Sequence, residues 1–195
     1  MNRGAEGSIA KPRFDVRELA LCGLFSALVA LGAFLRIPIP PVPVTFQFLF
    51  ANLAGLLLGR RLGALAVGAY LVIGLMGLPV FTRGGGLGYV FEPTFGYLVG
   101  YCVGAGVSGW ISERGGGRFV VDVLAGVVNI SIVYLLGASY LYVLYNYYLN
   151  SPIGAKTVAI SCVLLFVPAD MVHSVLAALI VRRLRPVLQR RRNGR

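Results

Sequence analysis

The sequence predicts an all-α integral membrane protein with six transmembrane helices and both termini in the cytoplasm, and three observations lead there. Charge is excluded from long stretches: residues 19–59 carry only Arg36, residues 62–112 only Arg83 and Glu92, and residues 119–181 only Asp122, Lys156, Asp170 and His173. Hydrophobic residues make up 57% of the chain and charged ones 13%, against roughly 25% charged in soluble domains. The cations are also asymmetric. With the N-terminus inside, fifteen Lys and Arg fall on the inner side and only Arg36, Arg83 and Lys156 on the outer one, a strong positive-inside bias.

The elements follow in order. Residues 1–16 form a polar segment, 17–184 the membrane domain and 185–195 a basic tail. Spans are expected at about 17–37, 44–59, 62–77, 94–111, 119–142 and 156–183. The second and third are short for a full crossing of ~20 residues. No small-residue cleavage site follows the first apolar segment, so it is expected to serve as its own insertion signal.

Inner connections are tight, around Gly59-Arg60-Arg61 and from Glu113 to Arg118 through three glycines. The outer ones are longer. Pro38, Pro40, Pro41 and Pro43 impose a rigid extended path on the first. The second runs from Gly77 to Thr94, glycine-rich and only partly polar. An apolar loop needs a surface to lie against, so it is expected to fold over the bundle as a lid. Tyrosines 140, 142, 145, 147 and 148 read as an interface belt.

Small residues mark packing faces: Gly96, Gly100, Gly104 and Ser108 on the fourth span, and Ala20, Gly23, Ala27 and Ala30 on the first. The former set is expected to pack within the bundle. For the latter, docking onto another membrane protein stands level with internal packing.

The net charge of +11 does not point to nucleic acid, because seven arginines, from Arg182 to Arg195, follow the last apolar stretch; a basic juxtamembrane tail meets anionic lipid and sets topology. Cys22, Cys102 and Cys162 share no metal-ligand spacing and read as packing residues, so no metal site is expected. There is no Gly-Lys-Ser/Thr phosphate loop, no His-Glu-x-x-His, no glycine-flanked nucleophilic serine with a distant His and no carboxylate pair at catalytic spacing, and an enzyme is not expected.

Asp170 and His173 stand out, i,i+3 on the last span just after Pro168. A carboxylate at that depth costs about 3 kcal/mol on insertion scales, which implies a partner, a ligand or a proton. Arg83 beside three glycines suits an anionic ligand group, since glycine lets backbone N–H groups come close while the guanidinium supplies charge. Asn129 and Ser131 are expected to make helix–helix hydrogen bonds.

Two loops carry a resemblance. Pro38-Ile39-Pro40-Pro41-Val42-Pro43-Val44-Thr45-Phe46-Gln47 resembles the first-loop signature of the BioY family, the biotin-binding S components of energy-coupling factor transporters. Gly77-Leu78-Pro79-Val80-Phe81, Gly84-Gly85-Gly86-Leu87-Gly88 and Pro93-Thr94-Phe95-Gly96-Tyr97-Leu98 resemble its third-loop signature. The resemblance implies a six-helix S-component bundle in a bacterial or archaeal cell membrane, with a biotin pocket near the outer face under both loops and no resident cofactor. The implied pocket residues are Asp170, His173, Arg83, Gly85, Gly86, Phe81, Thr94, Tyr97, Thr45 and Gln47. Gly23 and Ala27 match the pair that docks the first helix onto the transmembrane coupling protein, which works with two ATPase subunits. His173 occupies a position where the family more typically has Lys. An S component for another vitamin and a non-transporting membrane assembly protein are the alternatives.

Overall fold

In the computed structural model the described residues are 15–39 and 42–193, with side chains described through Pro186. Pro40, Pro41 and the expected inner-side cations Arg3, Lys11, Arg13 and Arg195 lie outside them. Among the described residues the regular structure is helical apart from one two-residue ladder and an isolated bridge between Phe81 and Gly84.

Helix α1 (Val16–Phe34) starts on a capping box of Asp15 and Glu18. It ends where the proline run begins. Strand β1 (Arg36–Ile37) then pairs antiparallel with β2 (Val44–Thr45), setting Arg36 opposite Thr45. An extended proline segment was expected between these strands; the residues flanking it pair with each other.

Helix α2 (Gln47–Leu75) is broken at Gly59, whose φ of 84° and ψ of −178° are open in practice only to glycine. Its two arms, 47–58 and 60–75, lie against each other: a Cβ on Gly63 would fall 2.7 Å from the Gly55 Cα. Gly63 therefore packs within the second arm, while Gly59 alone makes the turn. Glu113 closes the break by accepting the Arg60 N–H at 3.0 Å, a carboxylate at the start of a helical arm.

Helix α3 (Phe95–Arg114) lies between α2 and α4 (Phe119–Val143). Gly96, Gly100 and Gly104 face α4 with no room for a side chain, at Tyr140, Val133 and Asn129 respectively, so this stripe does pack internally. Ser108 turns instead toward Gly55 of α2. Beyond α4 a π-helical turn covers Leu144–Tyr148. Short helix α5 (Ala155–Ala159) and a second π turn, Ile160–Leu164, lead into α6 (Val167–Asn193). Pro168 falls in the first turn of α6, where its missing N–H has no intrahelical partner to lose. Helix α6 packs against both α2 and α4.

Among the described residues, four helices are long and apolar enough to cross a membrane: Val16–Phe34, Gln47–Leu75, Phe119–Tyr148 and Ala155–Pro186. Many of their large apolar side chains, such as Leu24, Leu65, Leu135 and Val172, point outward and are at least half exposed or nearly so, the pattern of helices solvated by lipid.

The two ends of the bundle differ. At one, the arginine end, Asp122 is fully buried and paired with Arg185 at 3.0 Å. Ser112 donates to Asp122 at 2.5 Å, and Arg185 reaches the Gly117 and Leu56 carbonyls at 2.6 and 3.1 Å. Arg185 is therefore not only a tail charge; it ties α6 to the α3–α4 turn, to α4 and to the first arm of α2. Gly116 and Gly117, both left-handed with φ of 65° and 66°, make the turn that brings the Gly117 carbonyl to it.

Candidate functional site

At the opposite, loop end, the segment between α2 and α3 folds back over the bundle as a lid. Phe81 is buried against Tyr70 and Tyr89, with ring centroids 5.3 and 4.5 Å away. Gly86 donates its N–H to the Gly74 carbonyl at 2.7 Å, and Gly85 sits where any Cβ would press on Leu78 and Gly74. These contacts anchor the lid. Phe81, expected to cover a ligand, packs into the core and lines none of the cavities described here.

Beneath the lid runs a chain of buried hydroxyls. Thr82 Oγ1 lies 2.8 Å from the Tyr89 hydroxyl, which lies 2.9 Å from Thr94 Oγ1. Beside it Gln47 donates to the Tyr70 hydroxyl at 2.7 Å, and Tyr70 donates to the Val80 carbonyl at 3.2 Å. Thr45, Gln47 and Thr94 are all buried, and each is bonded as a buried polar group must be.

Asp170 occupies the far wall, its side chain 14% exposed. The Tyr134 hydroxyl of α4 donates to its Oδ2 at 2.5 Å, and His173 Nδ1 lies 3.2 Å from its Oδ1. The His173 ring leans on Phe46, centroids 5.0 Å apart. The partner that a membrane-embedded acid requires is thus first a tyrosine 36 residues away in sequence. No pattern in the chain pointed to Tyr134, because its pairing exists only across α4 and α6.

Two chambers of 20 Å³ each flank Tyr97 and Tyr101. One is bounded by Tyr134, Val133, Phe166 and Asp170, the other by Gln47, Thr82 and Thr94. Val42, Pro43 and Thr45 of the first loop border both. Tyr97 closes the floor between them by donating to the Cys162 carbonyl at 3.1 Å. The site thus brings together Asp170, Tyr97, Thr45, Gln47 and Thr94, with His173 behind Asp170.

Arg83 lies elsewhere, half exposed and paired with Glu92 at 3.3 Å. With Arg36, Pro38, Ile39 and Pro43 it lines a separate cavity of 250 Å³ at the surface of the loop end. A further cavity of 510 Å³ is at the arginine end between the start of α1, Gly59 and Arg185; it shares no residue with the two small chambers. Ser131, expected to bond across helices, is exposed and returns its hydroxyl to the Val127 carbonyl, whereas Asn129 does bond across, to Asn52 at 3.0 Å. Gly23 and Ala27 lie on the exposed side of α1, and nothing stands within 4 Å of a Cβ at Gly23.

The BioY family model matches residues 7–190. The probable biotin transporter BioY of Lysinibacillus sphaericus is 40% identical over 176 residues, 88% of each chain. The biotin transporter BioY of Thermotoga maritima is 39% identical over 171 residues, 87% of this chain and 96% of that one. Among solved structures, the S component for biotin from an ECF-type ABC transporter superposes with a TM-score of 0.68 at 29% identity, covering 88% of this chain and 92% of that one. Relatives of this kind and the exposed apolar helices make this a multi-pass membrane protein of bacteria or archaea. The two loop motifs that close the Asp170 chambers fall inside a match running nearly end to end, and the chain belongs to the BioY family.

Proposed function

We propose that this chain is the biotin-binding S component of an energy-coupling factor transporter, crossing the membrane six times with both termini in the cytoplasm. The break at Gly59 supports six crossings, because it divides α2 into two arms that come together at Gly55 and Gly63. Helix α3 supplies another despite its glycines, since these face α4 and not lipid. The cation asymmetry sets the arginine end inside.

The reading rests on one observation above the others: Asp170, held by Tyr134 and His173, borders a chamber roofed by the first loop. Biotin presents ureido N–H donors, an apolar thiophane and chain, and a carboxylate. Asp170 accepts from the ureido group, its carboxylate aimed by the Tyr134 hydrogen bond. Tyr97, Tyr101, Val133 and Phe166 give the thiophane apolar walls, and Thr45, Gln47 and Thr94 supply polar contacts at the neighbouring chamber. Each 20 Å³ chamber has room for about one water, whereas small-molecule pockets occupy about 300 Å³ or more. Entry therefore requires the Val42–Pro43 segment to lift, merging the chambers. Gly85 and Gly86 hold the second lid in register, and Arg83 contributes positive charge from outside the chambers.

The outward small-residue face at Gly23 and Ala27 docks the transmembrane coupling protein, which the two ATPases drive. Saturable binding of tritiated biotin to the purified subunit in detergent is the expected result. Absence of saturable binding overturns the reading.

A further inference from the structure

We propose that the cavity between Arg36 and Arg83 is an electrostatic capture site for the carboxylate of the incoming substrate, with Arg36 its principal charge. This rests on the transport reading above and adds a residue to it. Four observations lead there. Arg36 and Arg83 line one 250 Å³ cavity with only Pro38, Ile39 and Pro43, so its walls carry cations and otherwise apolar side chains. The Arg36 guanidinium donates to the Thr82 carbonyl, which fixes it beside Arg83, the next residue along the lid. Glu92 already pairs with Arg83 at 3.3 Å, while no carboxylate among the described residues lies within salt-bridge distance of Arg36. Finally, Pro43 borders this cavity and both inner chambers, one of them lined by Asp170, so it stands between the arginine mouth and the interior.

Low-dielectric walls around an uncompensated cation focus its field and raise the local concentration of anions. A substrate with a carboxylate at one end and a neutral hydrogen-bonding head at the other is then held by its tail at the mouth. Its head leads past Pro43 toward Asp170. Such a charge acts on association, within a Debye length of about 10 Å at 0.1 M salt.

The test is stopped-flow association of biotin and of its neutral primary amide with the full-length protein at low and high salt. With the wild type, biotin associates faster than the amide at low salt, and the difference shrinks as salt rises. Arg36→Gln lowers the biotin rate about threefold or more at low salt and leaves the amide rate and both dissociation rates unchanged. Glu92→Gln, which frees Arg83, raises the biotin rate. Arg36→Lys keeps the charge and retains most of the effect. Equal loss for biotin and amide in Arg36→Gln would make Arg36 a latch between the two loops and overturn the proposal. Equal rates for the two ligands in the wild type would also overturn it, leaving the binding function intact. No saturable binding of either ligand overturns both readings.

Discussion

The two ends of the bundle are closed by different chemistry. At the arginine end a buried ion pair, Asp122 with Arg185, gathers α6, α4, the α3–α4 turn and the first arm of α2 into one knot. At the loop end the buried contacts are neutral hydroxyl chains, Thr82–Tyr89–Thr94 and Gln47–Tyr70–Val80, with a two-residue ladder; its charged contacts, Arg83–Glu92 and Arg36 to the Thr82 carbonyl, are at the surface or only part-buried. A neutral hydrogen bond exchanges for one to water at a net cost of about 1 kcal/mol. Separating a buried ion pair leaves an uncompensated charge, at about 3–5 kcal/mol. The loop end is therefore the cheaper one to open, and it is the end that carries the Asp170 chambers.

The sharpest way to break this contrast is Asp122→Ala. It strands the mostly buried Arg185 guanidinium and should lower stability by about 3–5 kcal/mol, read from thermal unfolding in detergent, while biotin affinity of the folded fraction stays the same. A variant that melts normally would show that the knot does not hold the inner end. Asp170→Ala should do the converse. Losing a hydrogen bond to a charged acceptor weakens biotin binding by about 1–3 kcal/mol, measured by equilibrium dialysis, with less change in melting temperature than Asp122→Ala causes. Unchanged affinity in a folded variant would remove Asp170 from the pocket.

Gly59→Ala probes the same inner end through the backbone. Alanine at φ 84° and ψ −178° should cost about 1–3 kcal/mol, visible as a lower unfolding midpoint without a change in biotin binding. The smallest expected effect on the isolated subunit is that of Gly23→Leu. It adds a side chain to an exposed face, so stability should move by no more than about 0.5 kcal/mol, with biotin binding intact. Co-purification with the coupling protein should be lost; retained co-purification would exclude this face as the docking surface.

Hydropathy and glycine spacing anticipated the helical membrane class, the breaks at Gly59 and Gly116–Gly117, the lid over the bundle and the internal packing of the α3 stripe. They could not anticipate the β1–β2 ladder, because two residues on each side are too few to show a strand pattern and pair only across the loop between them. At the site, Asp170 and His173 were legible because burying ionisable groups in an apolar segment is costly. The same logic applied to Asp122, yet its partner was hidden among seven similar arginines. Tyr134 and Asn52 left no signal: a tyrosine or an asparagine in a span is equally compatible with many positions on the helix surface.

Taken alone, then, the amino-acid order determined which stretches leave water, where the chain can turn and which rare charges need compensation, since transfer energies and backbone sterics are local properties. Only the packed bundle decided who compensates whom. Asp170 meets Tyr134, Asp122 meets Arg185, and Arg36 comes beside Arg83 because helices and loops distant in sequence are brought within a few ångströms. Hydrogen bonds and ion pairs at that range depend on distance and direction, and neither is encoded in spacing along the chain.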